Sequence, residues 1–185
     1  LPNHMHVEWT LKALAAGKHV LCEKPMAMDE AEFDALIAAR DASGRRVSEA
    51  YMIVHHPQWQ RAKALYEEGA IGRLVQVDGR FSFDNRADSL NIRNRAETGG
   101  GALRDIGVYP IGATRFVTGE EPQALAASIL WENGVDVQSR FDAVFPGFRM
   151  NGLVSIRMCP WHERTSHDEK AERRIGAQVN AGTRG

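Results

Sequence analysis

No apolar run in this sequence approaches the roughly 20 residues needed to cross a bilayer as a helix. Its first residues, LPNHMHVEW, carry neither the basic flank nor the apolar core of a secretory signal. Cysteine is scarce. Cys22 and Cys159 are too few for a disulfide framework, and Cys22, inside an apolar stretch, reads as a small buried side chain. Charge of one sign is also missing: 23 Lys and Arg face 24 Asp and Glu, a formal net charge of -1. That balance gives no reason to expect nucleic acid or an anionic membrane as partner. Metal-ligand spacing is absent too. His4 and His6 are two apart at a helix start and His55 and His56 are adjacent, so neither pair shares a face. No metal site is expected, no internal repeat is visible, and the cytoplasm is the default location.

What is present suffices for a core. Apolar residues make up 43% of 185, enough for one domain or two small ones. HMHVEWTLKALAAG has mostly helical spacing, with Asn3 as a candidate cap and Gly17 as its stop. HVLC is apolar in three consecutive positions, the pattern of a parallel strand buried on both faces. MDEAEFDALIAARDASG predicts a helix with Asp29 as cap and Glu32 three residues on. RRVSEAYMIV predicts a second strand. Helix, strand, helix and strand joined by short links are α/β.

After His55-His56-Pro57 the rhythm changes. PQWQRAKALYEEGAIG reads as a helix opened by proline, and RLVQVDGRFSFD as a half-buried strand. NRADSLNIRNRAETGGG is a long polar loop, and GALRDIGVYPIGATRFVTG returns to helical spacing. Three strands follow, with turns at Asn133-Gly134 and Pro146-Gly147. This second part is expected to be α+β with a mostly antiparallel sheet. The expected domains are 1–54, 55–159 and a polar, disordered tail over 160–185.

Chemistry concentrates in two places. Glu23-Lys24-Pro25 follows the carboxyl end of the first strand, the edge where open α/β sheets bind ligands. Pro25 can adopt a cis bond. Lys24 there could hold a substrate oxygen, lower the pKa of a neighbouring acid, or be an ordinary turn lysine. In GGGALRDIGVYP, Gly99, Gly100 and Gly101 allow a tight bend or a close approach. Asp105 and Tyr109, four apart, share one helical face. They are either a proton-transfer pair or a cap with a core aromatic. Arg93 and Asn94 lie in the loop before the glycines and are either binding residues or solvated ones.

The order AGKHVLCEKP, EAYMIVHHPQW, a helix ending GAIGRL, then GGGALRDIGVYPIGATRFVTGEEP resembles the oxidoreductase family of glucose–fructose oxidoreductase, inositol dehydrogenase and rhizopine catabolism proteins. The resemblance is close from Leu1 to Gly119 and looser to about Cys159. It implies the carboxy-terminal part of a Rossmann-like dinucleotide-binding domain followed by an incomplete α+β domain. It also implies hydride transfer between NAD or NADP and the CH–OH group of a small-molecule sugar, polyol or diol, in a parent expected to be a homo-oligomer. Lys24 matches the family's active-site lysine in its Glu-Lys-Pro motif. Leu1, Pro2, Asn3, His6, Glu23, Lys24 and Pro25 would lie near the cofactor. Tyr109 stands where most of the family has histidine. That resembles the glucose–fructose oxidoreductase, xylose dehydrogenase and dihydrodiol dehydrogenase subgroup, in which tyrosine is the acid/base. Asp105 would orient substrate or hold the helix, and Arg93 and Asn94 would serve the substrate side.

The departures are specific. No GxGxxG occurs, nor a residue that would choose between NAD and NADP. Val54 stands where relatives often carry arginine, and the segment after Cys159 does not follow the family pattern. A truncated copy is therefore expected, and the alternative function is a non-catalytic remnant or a binding and oligomerisation module.

Overall fold

The computed structural model describes residues 1–158 and, as backbone, Ile175–Ala181. Helix α1 (His6–Ala15) follows a 3-10 turn over Asn3–Met5 and leads into β1 (Val20–Glu23). Helix α2 (Glu30–Ser43) and strand β2 (Val47–Ala50) complete the first part, and β1 and β2 pair in parallel. The Asp29 cap forms as the sequence predicts: its carboxylate accepts the Glu32 N–H at 3.0 Å, and Gly44 ends α2 in the left-handed conformation. Asn3 does not cap α1. Its side-chain amide instead donates to the Gly99 carbonyl at 2.9 Å.

Two further expectations are corrected here. The second strand stops at Ala50, and Met52–His55 turns as a 3-10 helix. Its partner β1 ends at Glu23, so a longer β2 would have no ladder to join. Nor is β1 buried on both faces. Cys22 packs with Met26, Ala27 and Leu36, whereas Leu21 is 72% exposed.

Helix α3 (Pro57–Glu67) opens on its proline, with the His56 side chain accepting the Gln58 N–H. Strand β3 (Leu74–Ser82) precedes the polar loop, which is folded into short 3-10 turns over Ile92–Asn94 and Ala96–Thr98. A π-turn over Leu103–Gly107 runs directly into α4 (Val108–Thr118). Strands β4 (Ala124–Glu132), β5 (Val135–Val144), β6 (Arg149–Ser155) and β7 (Ile175–Ala181) follow. The sheet order is β4-β5-β6-β3-β7, with β3 parallel to β6 and every other neighbouring pair antiparallel.

Alternation in β5 sends Val135, Val137, Phe141 and Ala143 to the side covered by helices, where they join Met150, Val154 and Ile156. This is the main core. Over Ile175–Ala181 the disordered tail expected from the sequence is replaced by a strand. The free edge of β3 supplies backbone donors and acceptors, and pairing to them needs no apolar side chains. The rest of that expected tail, 160–174 and 182–185, lies outside the described residues.

Candidate active site

Lys24 leaves the carboxyl end of β1 on a short backbone that is bonded on each side. The Lys24–Pro25 peptide is cis. Behind it, the Pro25 carbonyl oxygen lies 2.7 Å from His6 Nδ1, and the Met26 N–H donates to Glu49 Oε1 at 2.8 Å. His6 is buried, and its Nε2 lies 3.1 Å from the Leu1 carbonyl oxygen. The first helix and the end of β2 thus clamp the segment that carries the lysine.

The Lys24 side chain, 14% exposed, crosses to the second part of the chain. Its Nζ donates to the backbone oxygen of Asp105 and lies 3.0 Å from Oδ1 of the same residue. Arg93 Nε donates to the other carboxylate oxygen. Asp105, 11% exposed, therefore holds one cation on each oxygen. Such charge-assisted pairs are strong only while all partners are present. The Lys24 ammonium also lies 5.1 Å from the centre of the Tyr109 ring, within cation–π range. Phe81 packs against the same ring at 5.4 Å.

The π-turn places Asp105 and Tyr109 within reach of one lysine. π-Turns inside helices are frequent at functional sites. The glycine run makes the approach possible. A side chain on Gly100 would begin 2.6 Å from the Ile92 carbonyl, and Gly101 has φ +122 with Asp136 against it. Buried Asp136 accepts the Leu103 N–H at 2.6 Å and the Ser139 hydroxyl at 3.1 Å. It thereby anchors the start of the turn to β5. Burial raises the Asp136 carboxyl pKa above its ordinary value, against the opposing pull of those two donors.

The sequence matches the family model "Oxidoreductase family, NAD-binding Rossmann fold" over residues 1–51 and "GFO/IDH/MocA C-terminal domain" over residues 59–169. The chain belongs to the GFO/IDH/MocA oxidoreductase family. It is 46% identical over 156 residues to the uncharacterized oxidoreductase ORF334 of Rhizobium meliloti, covering 83% of this chain and 46% of that protein. It is 38% identical to a dTDP-3,4-didehydro-2,6-dideoxy-alpha-D-glucose 3-reductase of Actinomadura kijaniata, over 74% of this chain and 41% of that one. The crystal structure of an aldose-aldose oxidoreductase from Caulobacter crescentus, complexed with glycerol, superposes with a TM-score of 0.79 at 36% identity, covering 84% of this chain and 49% of that one. The chain spans about half the length of the relatives it matches.

Within this GFO/IDH/MocA chain, the predicted residues form a cluster and an adjoining framework, with Glu23 and Asn94 outside both. Lys24, Asp105, Tyr109 and Arg93 meet. Asn3, His6, Leu1 and Pro25 form the adjoining framework, with Asn3 bonded to the glycine run. Glu23 stays at the strand end, where its carboxylate accepts the Lys24 N–H at 3.3 Å. Asn94 is not brought to the cluster. Its amide donates to the carbonyls of Asn85 and Asp88 and accepts from Arg157, so it braces the loop.

Sequence reasoning missed Glu49, Asp136 and Tyr51. Tyr51 had a usable signal, a large aromatic directly after a parallel strand. A cleft of about 740 Å³ opens beside the cluster, with Lys24, Glu49, Tyr51, Arg104 and Arg115 among its lining residues. Among the described residues no group of three His, Cys, Asp or Glu is arranged to hold a metal ion. No helix among them is long and apolar enough to cross a membrane.

Proposed function

We propose that the protein carrying this chain interconverts a CH–OH group and a carbonyl on a sugar, polyol or diol, using NAD or NADP. The observation that carries the reading is the meeting of Lys24, from the end of β1, with Asp105 in the π-turn and Tyr109 in the first turn of α4. The kinship to a nucleotide-sugar 3-reductase and an aldose-aldose oxidoreductase supports a carbohydrate-like substrate.

The residues present fit the nicotinamide end of such a cofactor. Leu1, Pro2, Asn3, His6, Glu23, Lys24 and Pro25 would hold that end; the bonds of His6 to Pro25 and Leu1 beside the end of β1, the edge where this fold class binds dinucleotides, support the assignment. No GxGxxG occurs in the sequence to receive the pyrophosphate. When bound, the cofactor supplies the hydride chemistry.

The rest falls to the side chains. Tyr109 Oη takes the proton of the substrate hydroxyl in oxidation and returns it in reduction. The Lys24 ammonium, aimed by Asp105, favours the phenolate and stabilises negative charge on the substrate oxygen. Arg93 orients Asp105 and offers its partly exposed guanidinium to polar substrate groups. The same proposal assigns the protein to the cytoplasm, on its low cysteine content. It includes self-association of the parent, supported by exposed Leu125, Leu130 and Trp131 on edge strand β4.

Steady-state assay with aldoses, polyols and vicinal diols tests the reading. Tyr109→Phe should lower turnover by about 100-fold or more while leaving cofactor affinity nearly unchanged. Near-normal turnover in that variant overturns it. The missing GxGxxG favours a second reading, in which this chain by itself binds cofactor weakly and does not turn over. Tight calorimetric binding of NADH or NADPH to the chain would refute that.

A further inference from the structure

Tyr51 and Tyr109 come from different parts of the chain and stack, with ring centres 6.1 Å apart and 26° between their planes. Tyr51 directly follows β2, whereas Tyr109 stands in the first turn of α4. The Tyr51 hydroxyl donates to the Val108 carbonyl at 2.9 Å and lies 3.4 Å from the Tyr109 carbonyl. These are the backbone oxygens on either side of the Tyr109 Cα. An ideal α-helix pairs the Val108 carbonyl with the N–H of Gly112, so the hydroxyl sits against that residue. A methyl group at Gly112 would overlap the Tyr51 hydroxyl and begin 2.8 Å from its Cζ.

We propose that Tyr51 is a positioning residue for Tyr109, holding its ring and backbone so that the phenol stays beside Lys24, and that Gly112 lacks a side chain so that the Tyr51 hydroxyl can reach the first turn of α4. The inference rests on the reading of Tyr109 and Lys24 as a working pair. The Lys24 ammonium at 5.1 Å, Phe81 at 5.4 Å and Tyr51 at 6.1 Å flank the Tyr109 ring. Of these, Tyr51 also bonds the backbone that carries the ring. It is suited to remain a neutral donor. Burial pushes its phenol pKa far above the ordinary tyrosine value, with Tyr109 and Glu49 adding to the rise and Arg115 opposing it. The stacked pair would thus divide the labour, one phenol held protonated and the other set beside a cation.

The chain has three tyrosines, Tyr51, Tyr66 and Tyr109, so carbon-13 labelling at Cζ gives three signals that can be titrated directly, without turnover. Tyr51→Phe keeps the stacked ring and removes the hydrogen bond. The Tyr109 midpoint should then move up by roughly half to one pH unit, as the phenol loses part of its alignment with the Lys24 ammonium, with Tyr66 unmoved. Gly112→Ala should move Tyr109 the same way. Lys24→Met serves as the reference for the pair and should raise the midpoint by more.

If Lys24→Met moves Tyr109 but Tyr51→Phe and Gly112→Ala do not, the positioning role is overturned and the functional reading stands. If Lys24→Met leaves Tyr109 unmoved, the pair itself is refuted, and the positioning role falls with it. If Tyr51→Phe also collapses the Tyr66 signal, Tyr51 is a folding residue and the inference is wrong.

Discussion

Strands β1 and β2 are four residues each, and Leu21 in the middle of β1 is 72% exposed. Strands β5 and β6 pair from Gln138 with Ser155 to Val144 with Arg149, and Val137 and Val154 have no exposed surface. The large sheet carries the main core, and the small sheet carries a lysine at its carboxyl end. The cluster forms where the two meet. Asp105 and Tyr109 are rooted on the large sheet through Asp136 and Phe81, while the segment carrying Lys24 is held by His6 of α1 and Glu49 of β2. A site at such a seam takes its precision from both sides, so loosening either should blur it.

The sharpest way to break this comparison is to cut into both sheets equally. Phe141→Ala, in the core of the large sheet, should destabilise the chain by about 3–5 kcal/mol. Leu21→Ala, on the exposed face of β1, should change stability by about 0.5 kcal/mol or less. Urea unfolding of the two variants measures both, and similar losses would mean that the sheets are equally integral to the fold.

Asp105→Asn tests the seam. It removes the charge that Lys24 and Arg93 share and should cost about 2–3 kcal/mol, the lower side for a broken buried pair because Arg93 is partly exposed. A melting temperature equal to that of the unsubstituted chain would show that the cluster contributes nothing to joining the two parts.

A smaller effect sharpens the account of how the large sheet anchors the π-turn. The Asp136 carboxyl pKa is raised in the folded chain, chiefly by burial. Its contribution to stability is therefore full below the ordinary aspartate range and is lost as pH rises through the folded value. Asp136→Asn can still accept the Leu103 N–H, and it should remove that part of the pH dependence. Urea midpoints at acid and neutral pH would show a shallower decline in the variant. An unchanged slope would mean that Asp136 does not titrate differently in the folded chain.

The elements of the second part were largely legible from the sequence. Period-two alternation marks β3, and the Asn133-Gly134 and Pro146-Gly147 turns separate β4, β5 and β6; in the first part the Asp29 cap marks α2. These signals are local, arising from backbone sterics and from side chains within a few residues. Of the candidate site, the sequence named Lys24, Asp105 and Tyr109, which the fold brings together. Asn94 misled because a polar loop side chain looks the same in sequence whether it faces a ligand or braces its own backbone.

By itself, the sequence determined where most of the strands and helices lie, the glycines that let loop and helix come close, and the residue types able to move a proton. Tertiary structure alone decided which of those residues meet. Lys24 and Asp105 are 81 positions apart and Tyr51 and Val108 are 57 apart. No local pattern encodes such pairs, because their contacts exist only once both sheets have formed and packed. The same holds for the end of β2 and for the strand over Ile175–Ala181. Each was set by whether a neighbouring strand offered free backbone groups, a property of the partner and not of the segment.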